Sequence, residues 1–270
     1  MRVAFFVGCV NDVFFARAAV GAARILERLG VDVHFPQEQT CCGQAHFNSG
    51  QWAQAATLAR HFVRTFESAE YVVAPTGSCV AMVREHYVAL LAGDPAVAPR
   101  ARALAARTYE FAQFVTDVLG IEDLGARYPV TAAYHASCHA SRILGAAEAP
   151  ERLLRCVREL TLVPFEGADR CCGFGGTFAV KSPEVSVAMA DDKLAAIEAA
   201  GADVVVSADG SCLLHLMGRA RRRGLRLRFV HVAELLAEGM GLLDPSAGAE
   251  AARAGAVAQA TTRPAGGGRS

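Results

Sequence analysis

Two stretches of the chain set adjacent thiols before a glycine: Cys41-Cys42-Gly43 and Cys171-Cys172-Gly173. Two neighbouring thiols on one turn can point at one metal centre, and the glycine after them lets the backbone bend and come close. Single cysteines flank each pair at matching distances. Cys9 stands 32 positions before Cys41 and Cys138 stands 33 before Cys171, while Cys79 lies 37 after Cys42 and Cys212 lies 40 after Cys172. The pattern is one unit used twice, with four cysteines per copy. The ninth cysteine, Cys156, falls outside the repeat in a helical run and reads as a small buried hydrophobe.

Four thiolates arriving at one place suit a tetrahedral zinc ion or an iron–sulfur cluster. Zinc sites usually show paired C-x₂₋₄-C knuckles, and none occurs here. Ligands scattered from Cys9 to Cys79, with glycine-flanked neighbouring thiols, fit a larger cluster better, and zinc stays open at one site. Nine cysteines without an export signal point to a reducing, cytoplasmic setting and to metal or redox chemistry rather than structural disulfides. A formal net charge of zero argues against nucleic-acid binding. No apolar run is long enough to predict a membrane span. At 270 residues and 53% apolar content, the chain can build one large core or two small ones.

The elements that must place these cysteines are short apolar strands alternating with helices. Val3–Val7 reads as a buried strand running into Gly8-Cys9, and Phe14–Leu29 as a helix ended by Gly30. Val31–Phe35 is a second strand before the first CCG loop, Trp52–Phe66 a helix, and Tyr71–Ala74 a strand before Thr76-Gly77-Ser78-Cys79. Val80–Leu91 and Tyr109–Leu119 look helical. The second copy repeats the plan. Val130–Tyr134 leads to Cys138, Glu151–Glu159 looks helical, and Leu160–Phe165 leads to the second CCG. Val185–Ala200 is a helix, Val204–Ser207 leads to Gly210-Ser211-Cys212, and Leu213–Arg223 is helical. Phe229–Val232 and Ala233–Glu238 close it as strand and helix. Glu110-Phe111-Ala112-Gln113 also echoes His231-Val232-Ala233-Glu234. The expected fold is α/β: two tandem, duplicated Rossmann-like parallel-sheet halves about a pseudo-two-fold axis, with the cysteines at the carboxyl ends of strands. The expected divisions are residues 1–125, 126–244 and a disordered tail at 245–270.

These residues carry a resemblance. About residues 1–240 resemble the cysteine-rich CCG-domain proteins, a superfamily that includes the CCG-bearing component of heterodisulfide reductase and the glycolate oxidase iron–sulfur subunit. Within it they look most like the lactate-utilisation protein A family. The stretches that carry it are Gln39–Gln44 with Phe47–Gly50, Pro75–Cys79, Tyr134-His135 with Cys138-His139, and Cys171–Lys181 continuing through Pro183-Glu184. The resemblance implies an iron–sulfur electron-transfer subunit of a multi-protein bacterial system that oxidises L-lactate to pyruvate. It is thus the iron–sulfur subunit of an oxidoreductase complex rather than a complete enzyme. The alternatives are a heterodisulfide-reductase-like thiol/disulfide subunit, a glycolate (2-hydroxy acid) oxidase subunit, or a zinc-stabilised binding module. The chain lacks a ferredoxin-like C-x₂-C-x₂-C run, which points to a partner that supplies it, and the resemblance implies a ferredoxin-type subunit and a further subunit beside it.

The fuller superfamily pattern ends each repeat in C-x-x-C, and its five-cysteine repeats are associated with a non-cubane cluster. Here Met82 and His215 stand at the fifth positions. The expected ligands are therefore Cys9, Cys41, Cys42 and Cys79 in one set and Cys138, Cys171, Cys172 and Cys212 in the other. Four each suffice for [4Fe–4S] clusters, one or two per chain. His215 is a candidate fifth ligand, and Met82 a core residue. His135, His139, Arg142 and His231 are candidate hydrogen-bond donors to cluster sulfur, with ordinary packing as the competing reading. Gly173-Phe174-Gly175-Gly176 reads as a turn that lets a cluster approach rather than a phosphate loop. The arginines from Arg219 to Arg228 read as a solvated helix end, with docking of an acidic partner as the sharper alternative.

Overall fold

Runs of β-branched and aromatic residues become short parallel strands, and each run stops at a turn rich in glycine, proline or serine. In the computed structural model of the chain, which describes residues 1–245, these strands form two sheets of identical plan. The first contains β1 (Arg2–Phe5), β2 (Asp32–His34), β3 (Tyr71–Ala74) and β4 (Thr108–Glu110) in the order β2-β1-β3-β4. The second contains β5 (Arg127–Tyr134), β6 (Arg158–Leu162), β7 (Val204–Ser207) and β8 (Arg228–His231) in the order β6-β5-β7-β8. Every pairing is parallel. The inner strands β3 and β7 are covered on both faces, which is why they read as unbroken apolar runs.

The register matches as well. The Phe6 N–H donates to the Val73 carbonyl at 2.9 Å, and the His135 N–H donates to the Val206 carbonyl at 2.8 Å. The helices following β2 and β6, Trp52–Phe66 and Pro183–Ala199, bury corresponding positions. Ala55, Ala59, Phe62, Val63 and Phe66 in one answer to Ser186, Ala190, Lys193, Leu194 and Ile197 in the other.

The two sheets share one apolar core. Val3, Ile25 and Phe111 of the first half belong to the same buried cluster as Leu153, Val204 and Leu236 of the second. The helix Ala16–Arg28 lies against the last helix, Val232–Gly239, so closely that a Cβ on Gly21 would stand 2.9 Å from the Ala233 carbonyl. Leucine and isoleucine side chains buried at this contact each contribute about 1.5–3 kcal/mol. Arg17 adds ion pairs to Glu234 at 2.7 Å and Glu238 at 2.6 Å.

Near the cysteines the halves meet crosswise. A Cβ on Gly77 would lie 3.1 Å from that of Ala140, and one on Gly210 would lie 2.4 Å from Asn11 Oδ1. Gly77 and Gly210 open the two Gly-Ser-Cys runs, and Asn11 and Ala140 each stand two positions past the first cysteine of their set. One contact is the other with the halves exchanged, as a two-fold relation requires.

The elements depart from the sequence-based expectation in places; β6, for one, begins at Arg158, inside the helix expected over Glu151–Glu159. The helix Ala98–Ala105 falls where the sequence assigns no element, and the strand β4 overlaps the start of the helix expected over Tyr109–Leu119. Three residues, Thr108-Tyr109-Glu110, are too few to display a period. β4 is instead defined by its partner, β3. The run Phe14–Leu29 is broken at Phe15, whose φ of −132° and ψ of 40° separate Cys9–Phe14 from Ala16–Arg28. The Glu110/His231 echo has a structural cause: each residue ends the last strand of its sheet and caps the next helix. A Glu110 carboxyl oxygen accepts from the Ala112 and Gln113 N–H groups, and the His231 ring accepts from Ala233 N–H. The expected tail, beyond Pro245, lies outside the described residues.

Candidate metal centres

Cys9 and Cys138 begin the turns that leave β1 and β5, Cys79 and Cys212 follow β3 and β7, and the CCG loops follow β2 and β6. All eight sulfur-bearing residues line a single cleft of about 180 Å³ at the carboxyl edge of both sheets. Within the first set Cys9 Sγ is 3.5 Å from Cys41 Sγ, and Cys42 Sγ is 3.3 Å from Cys79 Sγ. Cys156 stands apart at the end of the helix Glu148–Arg155.

The turn geometry is the same in both loops. Gly43 and Gly173 have φ of +85° and +89°, a region side chains avoid. Their N–H groups each approach the first thiol of the pair, Cys41 or Cys171, at 3.4 Å. A Cβ on Gly173 would meet the Ser186 carbonyl at 2.6 Å, so the loop also packs too tightly for any other residue. The electrostatics follow. Hydrogen bonds from the Cys42 and Cys9 thiols, helped by Gly43 N–H, hold Cys41 far below the ordinary thiol range. Cys138, Cys172 and Gly173 do the same for Cys171. Cys9 and Cys42 are pushed up by those same bonds and by burial, as are Cys138 and Cys172. In each set the first thiol of the pair is thus drawn toward the thiolate, the species that binds metal.

The candidate accessory residues separate in space. His135 is fully buried, and neither ring nitrogen has a hydrogen-bond partner. One ring nitrogen, Cys172 Sγ and Cys212 Sγ all lie within 4.8 Å of one another. The Ala168 carbonyl is nearby, already taken by Lys193, without a well-directed bond to the ring. His139 Nδ1 is 3.7 Å from Cys138 Sγ. The other candidates are engaged elsewhere. Arg142 donates to the Asp169 carbonyl, and His231 Nε2 donates to the Pro75 carbonyl at 3.0 Å. His215 shares a hydrogen bond with Ser186 Oγ at 3.2 Å, and that hydroxyl holds the Gly173 carbonyl at 2.7 Å. His215 therefore braces the second CCG loop. Met82 is wholly buried in apolar core. In the arginine cluster, Arg219 pairs bidentately with Asp191, Arg223 pairs with Asp191 and Glu198, and Arg228 donates to the Tyr128 hydroxyl. Much of that charge ties one helix to the next.

Sequence reasoning missed three contributors. Tyr87 donates its hydroxyl to the Cys42 carbonyl at 2.8 Å. Asp209 accepts from Ser78 N–H of the other half at 2.9 Å and from Ser211. Lys193 is buried beside the second set, and its Nζ donates to the carbonyls of Gly167 at 2.7 Å and Ala168 at 3.3 Å. Aligning the two repeats residue by residue would have exposed the last two, since Asp209 stands where the first half has Thr76, and Lys193 where it has Phe62.

The donors fit a thiophilic metal group. Each set is all-thiol, and an orphaned buried imidazole beside the second set lacks the partner a bound group would supply.

Comparison with known proteins is consistent with this chemistry. The profile of the cysteine-rich domain CCG matches residues 3–84 and 132–217. A protein of an Exiguobacterium species named Lactate utilization protein A is 48% identical over 241 residues, covering 88% of this chain and 98% of that one. Its namesake from a Geobacillus species is 46% identical over 236 residues, covering 87% and 99%. Among solved structures, a hypothetical protein from Helicobacter pylori superposes with a TM-score of 0.65 at 10% identity, over 91% of this chain. The chain spans half the length of that protein, and the likeness concerns the fold alone.

Proposed function

The chain belongs to the CCG cysteine-rich domain family, and on that premise we propose that it is an iron–sulfur electron-transfer subunit of a lactate-utilisation system. The observation that carries the reading is that two complete four-cysteine sets face one cleft. Cys9, Cys41, Cys42 and Cys79 would hold one cluster, and Cys138, Cys171, Cys172 and Cys212 the other. When bound, such a cluster stores and passes single electrons. The protein's part is to present thiolates at Cys41 and Cys171, to bend the loops at Gly43 and Gly173, and to wall the cleft with side chains such as Val10, Ala45 and Phe174. A hydrogen bond from Ser49 Oγ to Thr177 Oγ1, at 3.1 Å, links the segments that follow the two CCG loops.

The relatives' name supports lactate as the fuel of the system. A ferredoxin-type subunit and a further subunit would complete it. Among the described residues no helix is long and apolar enough to cross a membrane.

The close convergence of donors favours one second reading, a single tetrahedral zinc in a set: Cys42 and Cys79 lie 3.3 Å apart, and His135, Cys172 and Cys212 converge within 4.8 Å. Anaerobic purification with iron, sulfide and zinc quantified per chain, followed by EPR of the reduced protein, decides between them. Roughly eight irons with matching sulfide is the expected result for two [4Fe–4S] clusters. Zinc without sulfide, after attempted reconstitution under argon, overturns the redox function.

A further inference from the structure

The two cysteine sets are alike in their ligands and unlike in the wall behind them. His135 occupies the place of Phe6, because both residues make the same hydrogen bond to the neighbouring strand from a position three before the first cysteine. Lys193 occupies the place of Phe62 in the matched burial patterns of the two helices. In the first half those positions form an edge-to-face aromatic pair, Phe6 on Phe62 at 4.9 Å, backed by Phe66. In the second half they hold a buried imidazole with two unpartnered nitrogens and a buried ammonium.

We propose that the second centre, held by Cys138, Cys171, Cys172 and Cys212, has the higher reduction potential and takes up an electron before the first, with Lys193 and His135 as the residues that set the order. The proposal rests on the iron–sulfur reading. A buried cation requires a counter-charge. The hydrogen bonds of Lys193 go to two carbonyls and its ammonium lies 5.3 Å from the centre of the Phe165 ring, so carbonyl dipoles and a π-face compensate it only in part. Burial pushes the Lys193 ammonium down, and the opposing pull comes first from Cys172 and Cys212, sulfurs that would be anionic in a loaded set. A metal–thiolate group is negative and becomes more so on gaining an electron, so Lys193 favours the reduced state. His135 works in the same direction. Neither of its ring nitrogens makes a well-directed hydrogen bond within the protein, and donation to sulfur would withdraw charge from a cluster. Asp209 acts in the opposite sense, but both of its oxygens are engaged, by Ser78 N–H and by Ser211. The first centre faces phenylalanine at both positions. Reduction adds one electron per centre, supplied in the test by dithionite, with no group transferred.

The test is an EPR-monitored potentiometric titration of the full chain after anaerobic reconstitution. Cys41→Ser and Cys171→Ser, each removing one signal, assign the two centres. The signal lost in Cys171→Ser is expected to appear first on reduction. It should shift to lower potential in Lys193→Met and in His135→Phe, and recover in Lys193→Arg, while the other signal stays in place. If Lys193→Met does not accumulate, His135→Phe and His135→Gln carry the potential measurement. The proposal falls if the signals are reduced in the reverse order or together, or if the variants leave the second signal unmoved. Absence of iron and sulfide from the wild-type chain would remove the iron–sulfur reading itself, and this proposal with it. Two loaded clusters of equal potential would remove this proposal alone.

Discussion

Set side by side, the two centres show which parts of a duplicated site tolerate change. The four thiols, the positive-φ glycine and its N–H aimed at the first thiol are kept in both halves. The residues behind them are not. Phe6, Phe62 and Met82 stand behind the first set, and His135, Lys193 and His215 behind the second. On the proposed reading, the thiol geometry could not drift without losing a bound metal, whereas the wall could exchange carbon for nitrogen and alter what that metal does. Duplication thus yields two sites of one build and different electrical character.

The harshest way to break the comparison is to remove one ligand set. Cys41→Ser and Cys171→Ser are each expected to lose about half of the bound iron and sulfide, measured per chain, because each set is complete within its own half. Loss of all iron from either variant would mean that the halves load as one unit.

The glycines test whether the loops are as equivalent as their dihedral angles. Gly43→Ala should destabilise the apoprotein by about 1–2 kcal/mol from the left-handed backbone alone. Gly173→Ala should cost more, since its Cβ would press on the Ser186 carbonyl at 2.6 Å, against 3.4 Å from the Ala55 carbonyl at Gly43. Urea melts of the two variants settle the order, and equal midpoints would deny the tighter packing of the second loop.

The matched capping residues Glu110 and His231 separate the halves by pH. Burial pushes Glu110 up to about 8 from an ordinary 4.5, so the folded chain keeps its proton and stability falls as pH rises through that window. Burial pushes His231 down to about 4 from 6.5, so the folded chain excludes the proton and stability falls as pH drops through that window. Thermal melts across pH 5–8 should show Glu110→Gln losing the alkaline decline and keeping the acidic one. An unchanged alkaline limb in Glu110→Gln would locate that titration elsewhere.

The smallest effect is expected at Tyr87, whose hydroxyl holds the Cys42 carbonyl. Tyr87→Phe should cost about 1 kcal/mol in the same melts. Its spectroscopic effect should be confined to the first centre.

Much of this was legible in the sequence. The cysteine spacing announced the repeat, and the apolar runs Tyr71–Ala74 and Val204–Ser207 gave the inner strands at their observed bounds, because strands buried on both faces have no polar interruption. β4 was not legible, since a three-residue edge strand takes its identity from hydrogen bonds to β3. The candidate histidines said nothing of direction in the sequence: His135 faces the thiols, while His231 turns to a carbonyl 156 residues away. Lys193 was hidden for a related reason. In Asp191-Asp192-Lys193 it looks like part of a solvated face, and only the matching of Phe62 reveals a buried position.

The contact between the helices Ala16–Arg28 and Val232–Gly239 has a consequence for how the protein is made. Its ion pair from Arg17 to Glu234 joins residues 217 positions apart. A ribosome therefore emits the first of these helices more than two hundred residues before its cover, and until then the side that bears Arg17, Gly21 and Arg24 has no native partner. Long-range closures of this kind are slow and leave the nascent chain prone to self-association. Slower translation at lower temperature should raise the yield of soluble chain, and truncation ahead of Val232 should abolish it.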